Sequence, residues 1–239
     1  MARLIAEPDQ FPLTFENTAE GEGGRFFEGY VNWRHVPEFR EFVEQSDAAN
    51  VAARIMESAC AQFFHEHAFQ REPGTAHATP WHQDISYYPL SGEQNVSVYI
   101  ALDPVSEDQA IRFVKGSHTG PVFRPRAFRE GRDYDGYQDT MNSVPDVDSS
   151  FGDDRIAGWA LEPGDAVLFH FGTLHGVPAA PISERRRAFS TRWLGDDARY
   201  LERSGKTSPP WPGIDLKTGD RLREDWFPVL EGSRLQGLL

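Results

Sequence analysis

Two short stretches carry side chains that can grip a metal ion together. In Thr79-Pro80-Trp81-His82-Gln83-Asp84, His82 and Asp84 stand at i and i+2. In a strand those positions face the same side, so one imidazole and one carboxylate can aim at a common point. Alone, a His-x-Asp pair is usually two surface residues. The second stretch runs from a Glu162-Pro163-Gly164-Asp165 turn through apolar Ala166-Val167-Leu168-Phe169 to Thr173-Leu174-His175-Gly176. Gly176 and Pro178 place His175 at a strand start near a rim. His170, between two phenylalanines, reads as a core histidine. Two imidazoles and one carboxylate on one octahedral face leave three positions open, the arrangement of non-haem Fe(II) oxygenases. The same donors suit Mn or Co. His82, Asp84 and His175 are therefore the candidate metal ligands and the candidate catalytic residues.

A third feature tests that assignment. If the co-substrate is 2-oxoglutarate, its distal carboxylate needs a cation, best a guanidinium that bonds both oxygens. Arg185-Arg186-Arg187 opens a late β-like run. Strand alternation puts Arg186 on a face with Ala188, Ser190 and Arg192, and Arg187 on a face with Phe189, Thr191 and Trp193. Small and polar neighbours suit a co-substrate cavity. Arg186 is expected to face in, and Phe189 and Trp193 to pack outside against helices. For Arg185 the ordinary meaning of an arginine run, a solvated charge, is preferred. His65 and His67 could form a second metal pair, but one polar strand face is the commoner meaning, and one of them is a candidate cavity wall. His118 is expected to cap a turn.

The elements that must position these residues are legible in outline. Residues 37–60 read as two helices broken near Ser46-Asp47, with Pro37 in a first turn, Asp47 as N-cap, and Val51, Ile55 and Met56 at helical spacing. Short β-like runs follow at 61–70, 94–102, 110–114, 165–171 and 187–194, separated by Gly/Pro/Asp clusters. That texture predicts a mainly β sandwich or barrel with helices packed outside. Residues 119–160 are polar and weakly periodic, as expected of a lid or substrate insert. In it Phe123, Arg124, Arg126, Tyr134 and Tyr137, with Tyr87 and Tyr88 nearby, are candidates to clasp a substrate. The 239 residues suit one domain.

Composition excludes several classes. A hydrophobic fraction of 39% supports a packed core, and a net charge of −13 argues against nucleic acid as a partner. It also argues mildly against a large polyanion such as CoA, unless a patch around Arg124, Arg126 and Arg129 overrides it. No apolar run reaches the ~20 residues of a membrane span. The N-terminal stretch does not read as a secretory signal. Cys60 is the one cysteine, which excludes an internal disulfide framework and makes a cytoplasmic location the expectation.

Taken together, these stretches resemble the phytanoyl-CoA dioxygenase family, a branch of the Fe(II)/2-oxoglutarate-dependent oxygenases. The similarity lies in TPWHQDISYY, VSVYIALDPV, RFVKGSH, LEPGDAVLFH, TLHG and RRAFS. It implies a double-stranded β-helix, a jelly-roll with flanking α-helices and the metal inside one open end. It implies His82 and Asp84 as the metal His-x-Asp, His175 as the distal ligand, and the Arg eleven residues later, Arg186, as the co-substrate anchor. It places Tyr99 beside the co-substrate and Arg71 where many members have a Lys reaching co-substrate or substrate. Ser190, on the Arg186 face, joins this cofactor-binding set, and Gln83 should point away from the metal. Lys115 stands where Pro is commoner, and residues 1–36 are a shorter lead than many members carry. Because Asp84 is a carboxylate, no ligand position is left vacant for a halide. The resemblance thus implies an Fe(II)- and 2-oxoglutarate-dependent dioxygenase that uses O2 to hydroxylate a C–H bond of a small or medium organic molecule, releasing succinate and CO2. The alternative is a cupin-like metal-dependent isomerase or dioxygenase that does not use 2-oxoglutarate and has no need of Arg186. A non-catalytic metal-binding jelly-roll is a third reading.

Overall fold

The structure is a computed structural model that describes residues 1–230 except 19, 22 and 129. Its strands are β1 (Thr14–Glu16), β2 (Phe26–Tyr30), β3 (Gln62–Arg71), β4 (Thr79–His82), β5 (Leu90–Ser91), β6 (Asn95–Ala101), β7 (Arg112–Val114), β8 (Arg126–Ala127), β9 (Arg132–Asp133), β10 (Ile156–Ala157), β11 (Ala166–Phe169), β12 (His175–Val177), β13 (Arg186–Leu194) and β14 (Arg199–Tyr200). The helices are α1 (Ala2–Ala6), α2 (Pro37–Gln45), α3 (Ala48–Ile55) and α4 (Val147–Ser150). A larger sheet runs β1-β2-β3-β13-β6-β11 and a smaller one β10-β7-β12-β4. All neighbours in both are antiparallel. This is the expected mainly β jelly-roll. The β-like runs predicted from 61, 94, 110, 165 and 187 became β3, β6, β7, β11 and β13.

Register in the larger sheet determines what can meet. Paired residues on neighbouring strands share a face. Tyr30, His67, Ser190, Tyr99 and Val167 form one row across five strands. Glu28, Phe69, Ala188 and Ala101 form the next. Phe26, Arg71 and Arg186 form a third, and His65, Arg192, Ser97 and Phe169 a fourth. These rows face inward. The outward face carries Phe63, Phe189 and Trp193, which form one apolar cluster with Phe39, Val43, Ala49, Ala52 and Ala53 of α2 and α3. Phe189 lies 4.6 Å, centroid to centroid, from Phe39. The parity of β13 is thus the one expected: arginines and serine in, aromatics out.

The helix break at Ser46-Asp47 is also where expected, and Asp47 is the N-cap residue, although its side chain makes no capping bond. The buried stripe of α3 differs from the reading. Ala49, Ala52, Ala53 and Met56 face the sheet, while Val51 is 38% and Ile55 61% exposed. Three alanines and Met56 thus form the face of α3 that joins the cluster with Phe63 and Trp193. The larger aliphatics are left on the outside.

Residues 119–160 hold a two-stranded hairpin and β10, and are otherwise tied to the body by side-chain contacts. The β8–β9 hairpin holds Arg126 opposite Asp133. Tyr137 is fully buried and donates to the Lys206 carbonyl at 2.8 Å. Among the described residues no helix is long and apolar enough to cross a membrane.

Candidate metal centre

β4 and β12 are neighbours in the smaller sheet, with His175 paired opposite His82. β4 ends at His82, and Gln83 continues in extended conformation before a 3-10 turn that begins at Asp84. The i, i+2 geometry therefore survives the end of the strand. His82 Nε2 lies 3.8 Å and His175 Nε2 3.7 Å from Asp84 Oδ1. Those gaps exceed a hydrogen bond, and suit three donors facing one central point. All three residues are buried. Among the described residues they are the group of three that could hold a metal ion.

The backbone fixes which nitrogen each imidazole offers. His82 Nδ1 lies 2.8 Å from the Pro80 carbonyl, and His175 Nδ1 lies 2.9 Å from the Thr173 carbonyl. A carbonyl only accepts, so Nδ1 carries the proton in both rings. Each Nε2 then keeps a lone pair aimed at the common point. Burial, then neighbouring His175, pushes His82 down to about 3. Burial likewise lowers His175. Both rings stay neutral, as ligands must be. Burial alone would raise Asp84, but Arg192, then His175, His82 and the Ser97 hydroxyl, outweigh it and hold the carboxyl well below its usual range.

These donors open onto a cavity of about 960 Å³ between the sheets. Arg186 and Ser190 line it as parity predicted, and so do Tyr99 and Arg71. Arg186 is 8% exposed and donates one hydrogen bond to the Gln109 carbonyl. Its other donors make no hydrogen bond among the described residues. Ser190 Oγ is buried without a partner. Arg71 is committed to the His77 carbonyl at 2.8 Å and to Thr79 Oγ1 at 2.9 Å, so it braces β4 as well as lining the wall. Arg187 also borders the cavity, but its guanidinium is paired with Asp103 at 2.7 Å, and Arg185 is exposed.

The far wall is largely aromatic. Phe128 sits 4.6 Å from the His82 ring, and Tyr87, Tyr134, Tyr30, Phe15 and Phe69 continue the surface. Polar residues interrupt it, among them Arg126, Lys206 and Glu28, whose carboxylate is 3.6 Å from His67 Nε2. Desolvation pushes Glu28 up to about 7. Both His65 and His67 line the cavity. Of the insert residues singled out, Arg126 and Tyr134 reach the cavity. Arg124 is spent on the Met141 and Gln138 carbonyls, Tyr137 is structural, and Phe123 packs near Val114 and Leu174. Arg129 lies outside the described residues.

Three residues, Arg192, Ser97 and Phe128, had no role assigned from sequence, and Tyr88, expected near the substrate, instead braces Arg192. Arg192 and Ser97 contact Asp84, and Phe128 caps His82. Arg192 was on the correct face by parity, but nothing in the sequence said what it would meet.

The family profile for phytanoyl-CoA dioxygenase (PhyH) matches residues 3–188. The chain belongs to the phytanoyl-CoA dioxygenase family. A probable phytanoyl-CoA dioxygenase of Caenorhabditis elegans is 28% identical over 136 residues, covering 54% of this chain and 40% of that relative. The chain thus matches well under half the length of that curated relative. Among solved structures, the non-haem alpha-ketoglutarate-dependent epimerase SnoN of nogalamycin biosynthesis has a TM-score of 0.69 at 18% identity, covering 95% of this chain and 82% of that one. The carbocyclase SnoK of the same biosynthesis has a TM-score of 0.68 at 21% identity, covering 96% and 84%. EctD from S. alaskensis has a TM-score of 0.64 at 13% identity, covering 87% and 70%. At these identities the likeness concerns the fold, and the PhyH assignment rests on the family profile.

Proposed function

We propose that this PhyH-family chain is an Fe(II)- and 2-oxoglutarate-dependent oxygenase that hydroxylates a C–H bond of a small or medium organic molecule. One observation carries the reading. Two neutral imidazoles with free Nε2 lone pairs and one ionised carboxylate converge on the cavity that Arg186 enters from the same side as Ser190. The fit of the implied groups is chemical. The N2O donor set suits Fe(II), and the uncommitted Arg186 donors with the orphan Ser190 hydroxyl suit a dicarboxylate.

His82, Asp84 and His175 would hold the iron. Arg186 would bind the distal carboxylate of 2-oxoglutarate, with Ser190 and Tyr99 beside it. When bound, iron and 2-oxoglutarate together supply the oxidising power for attack on an unactivated C–H bond, with succinate and CO2 as by-products. The protein fixes the ligand tautomers through Pro80 and Thr173, and Phe128 and Tyr87 shield His82 from water. The aromatic wall favours a mainly apolar substrate, with Glu28 and His67 as its polar contact. We read 1–239 as one domain, 119–160 as its lid, and a reducing, cytoplasmic setting as the one that suits ferrous iron.

The test is anaerobic addition of Fe(II) and 2-oxoglutarate, followed by O2. The expected result is a weak visible charge-transfer band and then succinate. Absence of both would sink the reading. Arg186→Ala should weaken 2-oxoglutarate binding by ~1.5–3 kcal/mol, the worth of hydrogen bonds to a charged group, with little change in Fe(II) affinity. A product heavier by one oxygen atom would establish hydroxylation over another oxidative outcome.

A further inference from the structure

The two oxygens of Asp84 are treated differently. Oδ1 faces the imidazoles of His82 and His175. Oδ2 accepts a hydrogen bond from Ser97 Oγ at 2.9 Å and lies 3.5 Å from Arg192 Nη2. Ser97 and Arg192 are register partners on β6 and β13, so the sheet itself presents both donors to one oxygen. Arg192 is in turn held on three sides. Its Nε donates to the Tyr88 hydroxyl at 3.2 Å and its Nη1 to the Ser190 carbonyl at 3.3 Å, and Tyr88 is packed against Phe64 and Phe171. All of these groups are buried.

We propose that Ser97 and Arg192 are positioning residues that hold Asp84 as a one-oxygen metal ligand. The proposal rests on the metal reading above and extends it. Coordination arithmetic shows why it matters. Two imidazoles and one carboxylate oxygen leave three of six octahedral positions, two for a chelating keto acid and one for O2. A carboxylate bound through both oxygens would fill one of those three. Ser97 and Arg192 engage Oδ2 before any metal arrives, so the chelating mode would have to compete with both contacts at a buried carboxylate. The arrangement also stops the carboxylate from rotating away from the imidazoles.

Co(II) alone, without 2-oxoglutarate, is the probe, because its visible spectrum reports coordination and its affinity can be measured by competition. Ser97→Ala removes the hydroxyl without changing charge. It should weaken Co(II) binding on the order of 10-fold, the lower end for loss of a group that orients a metal ligand, and alter the visible band. Arg192→Met, close in volume, should alter the band in the same sense. A purely structural role would lower the melting temperature of the metal-free variants and leave Co(II) affinity and spectrum as in the parent. That result with Ser97→Ala overturns the proposal even if Arg192→Met fails to fold. If the parent protein does not bind Co(II) at all, the iron-site reading falls and this proposal with it. Parent binding with an unaffected Ser97→Ala removes this proposal alone.

Discussion

Asp84 is the residue on which two demands meet. It offers one oxygen to the proposed metal and one to Arg192, and it is buried with both. Removing one partner of a buried pair leaves the other charge uncompensated, which typically costs about 3–5 kcal/mol. Asp84→Ala should therefore lower the stability of the metal-free protein by that order, measured by urea denaturation, as well as abolish succinate formation. Asp84→Asn keeps an acceptor for Ser97 and should cost less stability while still failing to turn over. If Asp84→Ala unfolds at the parent's urea midpoint, Arg192 is not relying on it. The candidate metal ligands stood out in the sequence because such a site needs fixed residue types at fixed spacing. His82 and Asp84 are set by strand parity, and His175 by its turn. Arg192 and Ser97 were not, because an inward arginine on β13 has no local signature of its partner. That partner is set by the pairing of β13 with β6 and by the turn after β4, both of which are tertiary.

At the scale of elements, Gln83 joins the insert to the ligand strand. Its side chain points away from the metal, as expected, and its uses are specific. Nε2 donates to the Pro121 carbonyl at 3.2 Å and the Gly172 carbonyl at 2.7 Å, and Oε1 accepts from Phe123 N–H at 2.8 Å. One buried amide thus ties the start of 119–160 and the loop before β12 to the residue between two candidate metal ligands. Gln83→Leu keeps the bulk and leaves three backbone groups without partners, about 1–3 kcal/mol for each that water cannot reach. The expected outcome is faster hydrogen exchange at 121–128 and around Gly172, with β3 and β13 unchanged. Uniform loss of protection across the sheet, or none at the insert, would refute the tie. The insert was recognised from its weak periodicity, but its inner contacts were not, since a polar loop carries no pattern that says which side chains turn inward. The misread face of α3 has a related cause. Spacing identifies which residues share a stripe, and the tertiary packing against the sheet decides which stripe is covered.

For the whole molecule, the two sheets bury a set of titratable groups on both of their faces. Desolvation, then Arg192, pushes His65 down to about 3, and burial lowers His67, His82 and His175 as well. Desolvation pushes Glu66 up to about 8 and Glu28 up to about 7. The two sets pull stability in opposite directions. A histidine with a depressed folded-state pKa is protonated first in the unfolded chain, so each one costs stability as pH falls below about 6.5. A glutamate with a raised folded-state pKa is ionised first in the unfolded chain, so each costs stability as pH rises from about 4.5 toward its folded value. Between about 4.5 and 6.5 these four histidines, with His170, which burial also lowers, outnumber the two glutamates, and stability rises with pH. Above about 6.5 the histidines are neutral in both states, and the glutamates alone lower stability up to about 8. The metal-free protein should therefore be most stable near pH 6.5, with the acid limb steeper than the alkaline one. Glu66 is fully buried, with Oε1 accepting from Asn32 N–H and Oε2 unpartnered. Gln at this position mimics the protonated acid, so Glu66→Gln should flatten the alkaline limb and leave the acid limb in place. Urea midpoints measured from pH 4 to 9 decide it: an alkaline limb equally steep in Glu66→Gln would mean that Glu66 is ionised in the folded protein.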